Sequence, residues 1–259
     1  MQVMTLEWSS SINKPVTFKN QLFLPPLPNS LQQAIETAMS QHYEELYEEE
    51  SDGSILLEEA LIKVLNSFQS DNNLLTQLRY VWMALILVTL VEPTIKYYQP
   101  NNSIPEKTIN RLMIWLLMNI TEFSKSRNQS NRYSQTDVDY FSSIDKTNFS
   151  VDREIPSLQI LSEALDVYIN ATKLLEPDYS LQILLDILDN CLEGYAIIPG
   201  SEGRRKLFDW WLEDVVPSVW YLHSPTSVGL LNELTGNDYN SVFSRLNNIS
   251  DLMRKSLMN

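Results

Sequence analysis

Residues 199–223, PGSEGRRKLFDWWLEDVVPSVWYLH, hold the densest group of side chains capable of binding chemistry. Arg204, Arg205 and Lys206 are adjacent where a helix should start, and Trp210 and Trp211 follow within two turns. A helix start carries partial positive charge, so cations there are mildly unfavourable. With Ser201 near the N-cap, Arg205 precedes Asp209 by four residues and Lys206 precedes it by three. Both spacings put the pair on one helix face, each worth a few tenths of a kcal/mol. Arg204 has no acid at those spacings. It falls over the apolar stripe of Phe208, Trp211, Val215, Val219 and Leu222, so it should be the least exposed of the three.

A guanidinium in that position needs an acceptor, because an unpaired buried charge costs several kcal/mol. Three arrangements supply one. A carboxylate from another helix can pair with it while its shaft stacks on Trp210 or Trp211. An anion can be held by Arg204 and the free N–H groups after PGSEG. Arg204, Arg205, Lys206, Trp210 and Trp211 can also form a docking patch, since tryptophan and arginine are favoured interface anchors. Arg79 and Arg111 extend the pattern: each sits in an apolar segment with a tryptophan one turn on, Trp82 and Trp115.

The second charged group is acidic. Glu44, Glu45, Glu48, Glu49, Glu50 and Asp52 crowd one stretch and read as a solvated face or a docking surface for a basic partner. His42 and Glu45 are three apart, on one face of an expected helix. A helical metal site draws ligands from several helices, and the chain has only one other histidine, His223. Asp186 and Asp189 read as a polar helix face. The segment NDYNSVFSR, 237–245, resembles the second magnesium motif of terpene synthases, but Arg245 stands where that motif has glutamate. Asn237 and Asp238 are better explained as negative groups at a helix start. Metalloprotease, nucleophile-elbow, dinucleotide-binding and Walker motifs are absent from the sequence. No metal, cofactor or catalytic residue is therefore expected.

The elements that must position these groups are helices. Proline-rich FLPPLPNS closes an extended arm over 1–28. Ser30 and Gln33 suggest a capping box for a first helix running to about residue 50. ILLEEALIKVLNSF repeats apolar residues at three and four. A third helix should begin near Asp71 and carry the run VWMALILVTLV, which Pro93 kinks or ends. Ser103 and Glu106 announce a fourth, apolar on nearly all sides and so expected at the centre of the core. The third and fourth should form an antiparallel hairpin. Two amphipathic helices after Pro156 should pair across EPDYS. The opening stretch gives a seventh helix, kinked or ended near Pro217, and two more follow. The fold class expected is all-α, with seven to nine helices. One domain over 29–259 is expected, divisible into 29–127 and 156–259 about a polar loop, 128–155.

Composition narrows function. A net charge of −14 disfavours nucleic acid and anionic membrane as partners. The single cysteine, Cys191, allows no intrachain disulfide and fits a reducing compartment, hence a cytoplasmic location. The start MQVMTLEWSSSINK has no basic and apolar regions of a signal peptide. The longest apolar run is interrupted by Gln77 and Arg79 and reads as a buried helix rather than a span. The function expected is non-enzymatic, through protein–protein contacts, as an adaptor, regulator or assembly factor. The alternatives are an acidic inhibitor of a basic toxin or nuclease, and an anion-binding helical domain centred on Arg204.

Overall fold

The computed structural model describes residues 25–128 and 156–258, except 177, 179 and 198–202. The expected arm lies outside the described residues apart from its last four positions, and the expected polar loop apart from residue 128. Within the described residues the chain is all-α, with nine separate helices and no strand.

At the centre stands α3, Asn73–Tyr98. The Asn72 side chain caps it by accepting from the Leu75 amide at 3.2 Å. Apolar residues cover every face of the helix, and from Leu78 to Val91 every residue is buried. It packs against α4 (Ile104–Asn128), α5 (Pro156–Lys173), α6 (Ser180–Leu188), α8 (Val216–Trp220) and α10 (Asn240–Met258). Its polar groups reach carbonyls on neighbours. The Trp82 indole donates to His223 O at 2.6 Å, and Tyr80 Oη donates to Leu65 O at 3.1 Å. By length and composition α3 is the one helix among the described residues that could cross a membrane, and 83% of that apolar window is buried inside the protein. Pro93 does not end it. The ring deprives the Thr89 carbonyl of its partner, yet packing carries the helix to Tyr98.

The expected hairpin forms: α4 folds back on α3 across five residues. The expected central place of α4 does not hold. Ile109, Leu112, Leu116 and Ile120 are buried against α3 and α10, but Ile114 and Met118 are 45% and 58% exposed on the opposite face. Apolar composition could not reveal that only one side of α4 has a neighbour. Buried side chains from before and after residues 129–155 join one core.

One further expectation fails for tertiary reasons. The first helix, α1 (Asn29–Ser40), stops ten residues early, because Gln41 is extended. Neither Ser30 nor Gln33 caps it. A 3-10 turn, Glu44–Leu46, and α2, Leu57–Asn66, follow. His42 and Glu45 therefore do not share a helix face. The helix expected to kink or end near Pro217 widens just before that proline and ends three residues after it, at Trp220. It runs as α7 (Arg204–Trp210), a π turn (Trp211–Val215) and α8. The wide turn lies just before the proline, where an ordinary α turn would set the Glu213 carbonyl against its ring. A second π turn, Asp189–Glu193, extends α6. The short α9, Val228–Thr235, completes the order.

Candidate functional site

The three adjacent cations have three different fates. Arg204 is buried at 1% exposure. Its Nη1 donates to Leu192 O at 3.0 Å, and its guanidinium lies 4.8 Å from the Tyr195 ring centre and 5.4 Å from that of Tyr47. Trp210 and Trp211 are buried too, and among the described residues neither indole N–H has a hydrogen-bond acceptor. Lys206 is exposed.

Arg205 makes the contacts that helical counting could not supply. It meets Asp209 at 2.8 Å, as its spacing predicts, and Glu48 at 3.2 Å. Its Nη groups also donate to Gln41 O at 2.7 Å and Met39 O at 2.5 Å. These are carbonyls at the end of α1, where a helix leaves acceptors unpaired and favours a cation. Arg205 is thus the C-terminal cap of α1 and its tie to α7. Glu48 completes the tie by accepting from the Tyr43 amide at 2.8 Å and meeting His42 Nδ1 at 3.2 Å. Burial alone would push the Glu48 carboxyl up; the Tyr43 amide, His42 and Arg205 outweigh it and hold the group below its ordinary value.

The acidic segment is therefore not one face. Glu44, Glu49, Glu50 and Asp52 are exposed, while Glu45 and Glu48 turn inward. Glu48 goes to the Arg205 tie. Glu45 goes to a cleft of about 360 Å³ between the 3-10 turn, α2, α6 and its π turn. Five carboxylates line it: Glu45, Glu58, Asp186, Asp189 and Glu193. Leu56, Leu61 and Leu185 supply an apolar wall, and Gln182 holds Asp186 Oδ1 at 3.2 Å. Asp186 and Asp189 read in sequence as a polar helix face; the fold instead aims them at acids from the first half of the chain.

Local geometry brings two of the acids into contact. Asp189 and Glu193 stand at the two ends of the π turn, four residues apart, a spacing that puts their carboxyls on one helix face within hydrogen-bond reach. Gly194 closes the turn, its amide donating to Asp189 O at 2.7 Å. A Cβ there would stand 2.6 Å from Asn190 O and 2.8 Å from Glu163 Oε2, so only glycine fits without displacement. Glu163, on α5, accepts from the Tyr195 amide at 2.5 Å. Burial, then Asp189 and Glu45, push the Glu193 carboxyl up to about 7. Asp189 is raised as well, by burial first, with Asp186 and Glu163 adding repulsion against the lowering hydrogen bond from Glu193. Each carboxyl thus favours its protonated form more than an ordinary carboxylate does. Glu45 Oε1 accepts weakly from the Leu57 amide at 3.4 Å, while Oε2 is buried with no hydrogen-bond partner among the described residues.

An acid-lined cleft with an apolar wall suits a cationic group carried on an apolar stem, such as lysine or arginine. Among the described residues, no three histidine, cysteine or acidic side chains are arranged to hold a metal ion. Cys191 is fully buried and burial drives its thiol well above the ordinary range, which makes it a poor nucleophile. Compared with protein-family models, with curated proteins and with solved structures, the chain matches none.

Proposed function

We propose that this chain acts through protein–protein contacts, as an adaptor, regulator or assembly factor, and that its partner presents a basic segment to the cleft. The observation carrying this reading is the convergence of Glu45, Glu58, Asp186, Asp189 and Glu193 on one cavity. The exposed acids Glu44, Glu49, Glu50 and Asp52 flank it in sequence, on a chain of net charge −14. Such a field speeds encounter with a cationic partner and selects against anionic ones. An inhibitor of a basic toxin or nuclease is one form of the same reading. The anion-binding reading loses support, because Arg204 is committed to Leu192 O and two aromatic rings. A cytoplasmic location remains part of the proposal, resting on the single buried thiol.

The test is binding of the full chain to a ten-residue Lys/Arg peptide and to its glutamine counterpart, followed by anisotropy across a salt series. Salt-sensitive binding of the basic peptide, lost in Glu58→Lys with Asp186→Lys and kept in Glu106→Lys on α4, supports the cleft. Equal loss in both variants would reduce the effect to net charge and overturn the reading.

A further inference from the structure

The cleft is also a joint. Its walls are the 3-10 turn and α2 on one side and α6 with its π turn on the other, and acids from both sides face each other across it. Every element packed on the π turn brings an ionisable group toward it. Glu45 and Tyr47 come from the 3-10 turn, Glu163 from α5 and Asp186 from α6, and Glu58 stands opposite on α2. From α7, Arg204 reaches the turn at Leu192 O and stacks near Tyr195.

Two geometric facts make this junction sensitive to one proton. The four-residue spacing of Asp189 and Glu193 puts both carboxyls on one face of the turn and into the cleft, and Gly194 leaves the turn no slack on its Glu163 side. Glu45 adds a buried carboxylate oxygen with no partner among the described residues to absorb extra charge. Two adjacent carboxylates are tolerated only while a proton lies between them.

We propose that Asp189 and Glu193 form a proton latch. With the shared proton in place, the Glu193 carboxyl donates to Asp189 and the joint is closed. Loss of that proton to water leaves two facing carboxylates beside Glu45 and Glu58, and the 3-10 turn and the start of α2 loosen from the π turn. The device needs no partner, so it stands or falls separately from the docking proposal.

The sign follows from linkage. The closed joint holds its proton more tightly than the open one, so closure is complete in acid and weakens as pH rises through about 7. If opening returns Glu193 to the ordinary carboxylate range, the open fraction grows about tenfold between pH 6 and pH 8. Amide hydrogen exchange on the full chain reads this locally, after correction for the base catalysis of exchange itself. Peptides spanning 43–62 and 186–197 should exchange about tenfold faster at pH 8 than at pH 6, while peptides from α4 and α10 should not change. In Glu193→Gln the amide keeps the hydrogen bond to Asp189 but cannot lose its proton, so exchange in both regions should stay slow and independent of pH. Asp189→Asn should behave alike. Flat exchange in the unmodified chain would overturn the proposal. So would an equal change in α4 and α10, or an unaltered pH response in both variants.

Discussion

Glu45 and Glu48 are three residues apart, each partly buried, in the same short segment, and they live in opposite electrostatic worlds. Glu48 meets Arg205, His42 and a backbone amide, and its carboxyl is held low. Glu45 meets a hydrogen-bonded carboxyl pair and leaves one oxygen unpartnered among the described residues. The first region uses charge to fasten α1 onto α7. The second concentrates like charge in a cleft, where it costs stability and is open to use by a cation. Within residues 42–52, His42 and the Tyr43 amide help to hold Glu48 low; the rest of the difference is imposed by residue 205 on one side and residues 186–193 on the other. Whether a charge is tied into the fold or set among like charges is decided by its partners rather than by its own sequence.

The sharpest break in the comparison comes from removing cations. Arg204→Ala should lose roughly 3–4 kcal/mol, because it empties a buried site and strands the Leu192 carbonyl. Arg205→Ala should lose roughly 2–3 kcal/mol, because Glu48 keeps a largely buried charge without its guanidinium and α1 loses its cap. Urea unfolding of the two variants beside the unmodified chain measures both. A loss below about 0.5 kcal/mol for Arg205→Ala would show that the tie is surface pairing only.

The acids should give smaller effects of opposite sign. Glu193→Gln should stabilise the chain at pH 8 by about 1 kcal/mol, a figure reduced for solvent screening at a group that keeps substantial exposure. At pH 5 the gain should shrink, since Glu193 is then protonated in the folded chain and only the ionisation of the unfolded chain remains. Glu48→Gln should destabilise at both pH values. The profile of the unmodified chain combines the two regions. A raised carboxyl contributes stability that is full below its unfolded value and lost as pH rises through about 7. The depressed Glu48 contributes stability that is lost only as pH falls through its lowered folded value. Stability should therefore be greatest near ~pH 5 and decline toward pH 8. Thermal unfolding across that range, with a profile rising toward pH 8, would contradict the assignment of the cleft.

Much of this molecule was legible from periodicity. The apolar run of α3, its start near Asp71 and the pairing of α5 with α6 follow from residues that are neighbours in sequence. So does the burial of Arg204, because the stripe it covers is its own helix. The Arg205 tie was not legible, since its acceptors at residues 39, 41 and 48 lie more than 150 positions away. Nor was the cleft. Its acids sit at 45 and 58 on one side and 186–193 on the other, and only the contact of Asp189 with Glu193, four residues apart on one helix face, is local in sequence. The place of α4 failed for a different reason. Apolar residues on all sides show that a helix can be central, while the elements around it decide whether it is.

The smallest expected effect belongs to Lys206, and it tests how far helical spacing alone can be trusted. Lys206 and Arg205 both stand at pairing distance from Asp209 in sequence, at three and four residues. The structure satisfies Asp209 through Arg205 at 2.8 Å, with Arg205 anchored on its far side by Glu48 and two carbonyls of α1. An anchored partner has little side-chain entropy left to lose, whereas the exposed lysine would have to give up most of its own. Asp209 is raised by burial first, with the attraction of Arg205 failing to cancel it, so the carboxyl already lies where a second cation would have to be desolvated. Lys206→Ala should change stability by less than about 0.5 kcal/mol. A double-mutant cycle of Lys206→Ala with Asp209→Asn should show coupling near zero, against a clear coupling for Arg205→Ala with Asp209→Asn. Coupling of Lys206 as strong as that of Arg205 would mean that Asp209 is shared between them, and that the tie to α1 is weaker than its geometry indicates.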